Sequence, residues 1–106
     1  MMLGRVQVPA SVKKGEAFEV RVIVQHPMET GFRRDLQGQS IPVNIVEKMS
    51  CTYGGREVFR AEFGTGIAAN PYVAFFVVAG QSGPIQVSWS DDRGQQGEAS
   101  ALVNVA

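Results

Sequence analysis

Ala17 to Gln25 reads AFEVRVIVQ, and its alternation decides the fold class. Phe18, Val20, Val22 and Val24 fall on one side of an extended chain and Glu19 and Arg21 on the other, which is the period of a strand with one buried face. Toward the N-terminus, Val12-Lys13-Lys14-Gly15-Glu16 reads as a turn with a basic flank, and Arg5 to Val8 as a short alternating segment with Val6 and Val8 inward. Pro9 stops that segment. Because proline cannot donate to a strand ladder, an edge strand or a switch between sheets is expected there.

Toward the C-terminus, Pro27 pushes His26 to extended geometry and ends the strand. His26 to Ser40, HPMETGFRRDLQGQS, holds the one histidine of the chain and runs to Ile41, where another extended segment starts. A connection of about fifteen residues without regular structure is long for a compact domain, and such loops tend to carry function. It is the leading candidate site. Gly31 and Gly38 permit turns that other residues resist, and Arg33, Arg34 and Asp35 place three charges side by side between them. The two arginines read either as solvated loop charges or as a grip for a carboxylate or oxyanion.

Beyond the loop, Ile45 to Tyr53 (IVEKMSCTY) is β-branched and aromatic with irregular alternation. Tyr53-Gly54-Gly55-Arg56 signals a type I′ hairpin, since both glycines adopt positive φ without strain. The return strand, Glu57 to Phe63, points Phe59, Ala61 and Phe63 to one side. An ideal two-residue turn sets Val58 against Cys51 and Phe59 against Ser50, so either a bulge shifts the register or both faces are partly covered. Gly64 to Pro71 reads as a second loop.

Tyr72 to Ala79 (YVAFFVVA) is apolar at every position, so both of its faces should be covered: the inner by the opposing sheet, the outer by another chain, the long loop or a terminal arm. Ile85 to Ser90, a turn at Asp91-Asp92-Arg93-Gly94 and an alternating run from Glu98 to Ala106 complete about seven short strands without a helical period. The expected fold is an all-β, antiparallel β-sandwich forming one domain over residues 1–106.

Composition narrows the function. Ten basic and ten acidic residues cancel, with no long run of one sign, which gives no general reason to bind nucleic acid or an anionic membrane. The longest wholly apolar run, Tyr72 to Ala79, is far short of a membrane span. The start MMLGRVQV lacks a basic segment followed by an apolar one, which by itself reads as cytoplasmic. One cysteine excludes an internal disulfide.

Catalytic sets are hard to assemble. A blue-copper site needs two histidines, and zinc would leave two ligand positions to carboxylates without recognisable spacing, so no metal or cofactor is expected. None of the serines lies in a nucleophile elbow. The enzymatic alternative is a small cysteine- or metal-dependent enzyme using His26 and Cys51; a homodimeric binding domain is a further alternative.

His26 to Asp35 (HPMETGFRRD), Ile41-Pro42, Cys51-Thr52-Tyr53-Gly54-Gly55, Glu57 to Ala61 (EVFRA) and Ala69-Asn70-Pro71-Tyr72 (ANPY) occur in the same order in, and together resemble, the Z subunit of the sulfur-oxidation (Sox) carrier protein. The resemblance spans nearly the whole chain. It implies an immunoglobulin-like sandwich and a non-catalytic subunit that pairs with a Y subunit, whose C-terminal cysteine arm carries sulfur covalently among periplasmic enzymes during thiosulfate oxidation. It also implies export together with Y, so periplasmic placement is preferred over the cytoplasmic reading. Transient contacts with other Sox enzymes follow from the same role, and a homodimer is conceivable without Y. On this chain the partner interface is expected at His26, Pro27, Met28, Glu29, Arg33 and Arg34 of the loop and at Tyr72, Phe75 and Phe76 of the apolar strand.

Overall fold

A computed structural model describes residues 3–64 and 69–106, and among them there are seven strands and no helix. The strands are β1 (Gly4–Gln7), β2 (Ala17–Val24), β3 (Val46–Tyr53), β4 (Arg56–Glu62), β5 (Tyr72–Val78), β6 (Gly83–Asp91) and β7 (Gln96–Val103). They form a three-stranded sheet in the order β1-β2-β5 and a four-stranded sheet in the order β4-β3-β6-β7. All neighbours within the sheets are antiparallel. The two inner faces meet over one core, an immunoglobulin-like sandwich. The loop expected at Gly64 to Pro71 falls partly outside the described residues, which omit 65–68.

Alternation places the core. Phe18, Val20, Val22 and Val24 of β2 turn inward against Met49 and Cys51 of β3 and Ile85, Val87 and Trp89 of β6. Burying each aliphatic side chain contributes roughly 1.5–3 kcal/mol against leaving it in water. Trp89 is large enough to need space from the opposite sheet: a Cβ on Gly4 would sit 2.5 Å from its Cη2, so the bare glycine of β1 is what lets the indole fit.

Both expectations about Pro9 hold. β1 is an edge strand. Past the proline the chain crosses to the other side of the sandwich, where the Val12 N–H donates to the Asn104 carbonyl at 2.9 Å and the Val12 carbonyl accepts from Ala106 at 2.8 Å.

The hairpin between β3 and β4 turns on Gly54 and Gly55, at φ 62° and 78°. Cys51 pairs with Phe59 and Thr52 with Glu57, so Val58 is the extra residue of a bulge. That shift returns Phe59 to the inner face, where its ring stacks on Phe75 with centroids 4.0 Å apart.

β5 alternates in space although its sequence does not. Phe75 and Val77 are buried, whereas Tyr72, Phe76 and Val78 are 58 %, 70 % and 62 % exposed. No described segment lies over them, which removes the intramolecular alternative, coverage by the long loop or a terminal arm.

The long loop is longer than the sequence suggested. Strand structure resumes at Val46 rather than Ile41, and the chain between projects from the sandwich. The radius of gyration is 16.0 Å, against about 13 Å for a compact domain of this length. The long axis is 57 Å, whereas strands of this length span about 30 Å at most.

Candidate partner-binding site

Strand ends gather at the base of the projecting loop, and a buried polar knot holds them. His26 follows β2 and is almost fully buried. Its N–H donates to Asn70 Oδ1 at 3.0 Å and its carbonyl accepts from the Asn70 N–H at 2.7 Å. The imidazole Nδ1 accepts the Met28 N–H at 3.0 Å, which leaves the ring proton on Nε2, 3.4 Å from Asp91 Oδ2. Asp91 is buried at the end of β6, and its Oδ1 accepts from the Arg93 and Gln95 N–H groups at 2.9 and 2.8 Å. With its amide turned to donate, Asn44 reaches Asp91 Oδ2 and Asp92 Oδ1 at 3.3 Å each. Buried polar groups are tolerated only when partnered in this way.

Met28 completes the knot from an unusual backbone position. Its φ is 52°, a left-handed conformation that costs a non-glycine residue about 1–2 kcal/mol. The side chain is buried and its sulfur accepts the Val46 N–H at 3.2 Å.

From this base the loop runs out as an irregular hairpin arm. Glu29 and Asn44 exchange backbone hydrogen bonds of 2.8 and 2.9 Å, and the Ile41 N–H donates to the Arg33 carbonyl at 2.8 Å. At the tip, Asp35 Oδ1 accepts from Gln37 and Gln39 at 2.9 and 3.0 Å, and Arg34 Nη1 donates to the Gly38 carbonyl at 2.8 Å. Glu29 accepts from both Nε and Nη2 of Arg33. That hydrogen-bonded guanidinium holds the Glu29 carboxyl below the usual carboxylate range and raises Arg33. Arg33 therefore grips a carboxylate of its own chain. The arm also bares Phe32 (88 %) and Leu36 (101 %), which the sequence reading passed over.

The nine residues expected at an interface thus divide. His26 and Met28 are buried in the knot and Phe75 in the core, so in this chain they shape the surface from within. Pro27, Arg33, Arg34, Tyr72 and Phe76 are exposed, and Glu29 is intermediate.

The geometry gives no support to a His26–Cys51 pair. Cys51 is fully buried in the middle of β3 beside Val87, and burial pushes its thiol up to about 11. His26 meets β6 at Asp91, four residues beyond Val87, a separation of about 14 Å along the strand. Among the described residues no three His, Cys, Asp or Glu side chains converge as a metal site would require.

Fold and site together define a small immunoglobulin-like module with a stiffened arm and an uncovered apolar edge strand. The chain belongs to the SoxZ family: the model of sulphur oxidation protein SoxZ matches residues 6–102. It is a component of a sulfur-oxidation (Sox) system. None of the curated proteins matches it. Among solved structures it is similar to the sulfur carrier protein SoxY from Chlorobium limicola f thiosulfatophilum, with TM-score 0.65, 14 % identity, and coverage of 97 % of this chain and 78 % of that one. It is also similar to a superoxide reductase (neelaredoxin) from Ignicoccus hospitalis, with TM-score 0.71, 22 % identity, and coverage of 97 % and 80 %. At these identities the likeness is one of fold.

Proposed function

We propose that the chain is the non-catalytic Z subunit of a Sox sulfur carrier. It pairs with a Y subunit, whose cysteine arm holds the sulfur intermediates of thiosulfate oxidation, and works in the periplasm after export with Y. The observation that carries this reading is the uncovered outer row of β5, where Tyr72, Phe76 and Val78 lie bare beside Ile23 and the Glu19–Arg21 ion pair of β2. A contiguous apolar patch on a small soluble domain marks a protein contact. The arm, with Phe32, Leu36 and Arg34 near its tip, extends away from the sandwich and is suited to touching the Y arm or a visiting enzyme.

Co-expression with a Sox Y subunit, followed by light scattering, tests the reading. A stable one-to-one complex is expected. A well-folded chain that stays alone in the presence of Y would end it.

A further inference from the structure

The outer edge of β5 differs from the other free edges of the sandwich. β4, on the same side, carries Arg56, Glu57, Arg60 and Glu62 and is bent by the bulge at Val58. β1 is only four residues long, carries Arg5 and is closed off by Pro9. β7 carries Glu98 and runs beside β1. Charge, shortness, proline and bulges are the devices by which soluble proteins prevent an open edge from pairing with a stranger. Within β5 there is no charge, proline or bulge, Pro71 standing just before it: the strand is seven residues long, YVAFFVV, and pairs with β2 in unbroken register from Ala17↔Val78 to Ile23↔Tyr72.

The ladder shows which groups the edge offers. Val24 N–H donates to the Pro71 carbonyl at 3.0 Å and Ala79 N–H to the Glu16 carbonyl at 2.9 Å, which bracket the β2–β5 pairing. In an antiparallel ladder, hydrogen-bonded positions alternate. Val73, Phe75 and Val77 therefore spend their backbone groups on β2. Tyr72, Ala74, Phe76 and Val78 point both N–H and C=O at the open edge, and their side chains lie on the outer face.

We propose that this edge receives an antiparallel, uncharged strand from the Y subunit, extending the three-stranded sheet across the heterodimer. The inference rests on the pairing read above and adds its geometry. The edge strand carries no charge, and the Glu19 and Arg21 side chains that lie opposite Phe76 and Ala74 on the same face pair with each other, so an uncharged partner strand is the complementary one. Pairing at the edge also carries the contact on into the shallow recess lined by Val58, Phe76, Val78, Gly80 and Gln81. The similar SoxY structure is a sandwich of the same fold, so a Y chain has sheet edges of its own to contribute.

Amide hydrogen exchange on the full chain, free and with a co-expressed Y subunit, tests this directly. The amides of Tyr72, Ala74, Phe76 and Val78 exchange freely in the isolated chain and become protected in the complex. Ala74→Pro removes one edge donor without touching the β2 ladder, and Phe76→Lys installs a guarding charge; each is expected to weaken Y binding by roughly tenfold or more. If Y binds with all four amides still exchanging freely, the edge proposal fails while pairing stands. If the wild-type chain forms no complex, the pairing itself fails. Protection of the same four amides by self-association, with none by Y, would overturn the choice of partner. The exchange result on the wild-type chain decides the matter even where a variant folds poorly.

Discussion

The two sheets share one core but present opposite outer faces. On the four-stranded sheet, Ser50, Ser88 and Ser100 alternate with Gln86 and Glu98 over a mostly polar surface in which Leu102 is the bare apolar side chain. On the three-stranded sheet the equivalent positions of β5 are Tyr72, Phe76 and Val78, with Ile23 beside them and the Glu19–Arg21 pair on the neighbouring strand. An antiparallel sheet needs only one apolar face to fold. The outer row of β5 is therefore more than the sandwich requires for its own folding, which is what makes it the proposed contact.

The inner and outer sides of β5 give the sharpest way to break that assignment. Phe75→Asp places a carboxylate in the core and removes the ring stacked on Phe59; it is expected to cost about 3–5 kcal/mol or more, enough to unfold a domain of this size. Phe76→Asp, one residue on, should leave the melting temperature nearly unchanged and weaken capture of Y. Circular dichroism and a binding assay on the pair check this; a folded Phe75→Asp chain would mean that the two sides have been assigned wrongly.

Next in size is the knot. His26→Ala removes the imidazole from Asp91 Oδ2 and leaves the Met28 N–H without its acceptor, an expected loss of about 2 kcal/mol and roughly 10 °C in melting temperature. Exchange should rise first at the base of the arm, and uniform destabilisation without local opening would deny the knot its positioning role.

A smaller effect is expected from acid. Arg33 lowers the Glu29 carboxyl, so the stabilisation it gives is present above the ordinary carboxylate range and is lost as pH falls through the lowered value. Arm resonances followed by NMR should stay unchanged from neutral pH through that range and broaden only below it, and Glu29→Gln should loosen the arm at every pH while leaving the sandwich intact. Ser88→Lys, on the mostly polar face, is the smallest change: stability within about 0.5 kcal/mol of the parent and undiminished Y binding. A marked loss of binding there would move the interface to the wrong sheet.

Strand count, hairpin and edge were legible because they depend on neighbours in the chain. The period of AFEVRVIVQ, the paired glycines at 54 and 55, and the mismatch that called for a bulge at Val58 are all local signals. The knot was not legible in the same way. Asp91 sits in a sequence, Asp91-Asp92-Arg93-Gly94, that reads as a solvated turn, and the imidazole that makes it an interior residue lies 65 positions away. Its local role in accepting the Arg93 and Gln95 amides is the very chemistry of a surface turn, so nothing nearby distinguishes the buried case. β5 misled for a different reason: an all-apolar run has no period, and the residues it bares look like those it buries. The resemblance named the HPMETG and ANPY segments together, and the structure joins them, since His26 and Asn70 hold each other through two hydrogen bonds.

The pairing of β2 with β5 has a further consequence, for the order of folding. β3 with β4 and β6 with β7 are hairpins that close over a few residues, whereas β5 joins β2 only after a loop of about fifty residues has been drawn in, which is entropically the slower step. The edge at Tyr72 to Val78 is therefore among the last surfaces to take shape. If a partner strand docks at that edge as proposed, it can do so only after the rest of the sandwich has closed, and assembly would then admit only completed subunits.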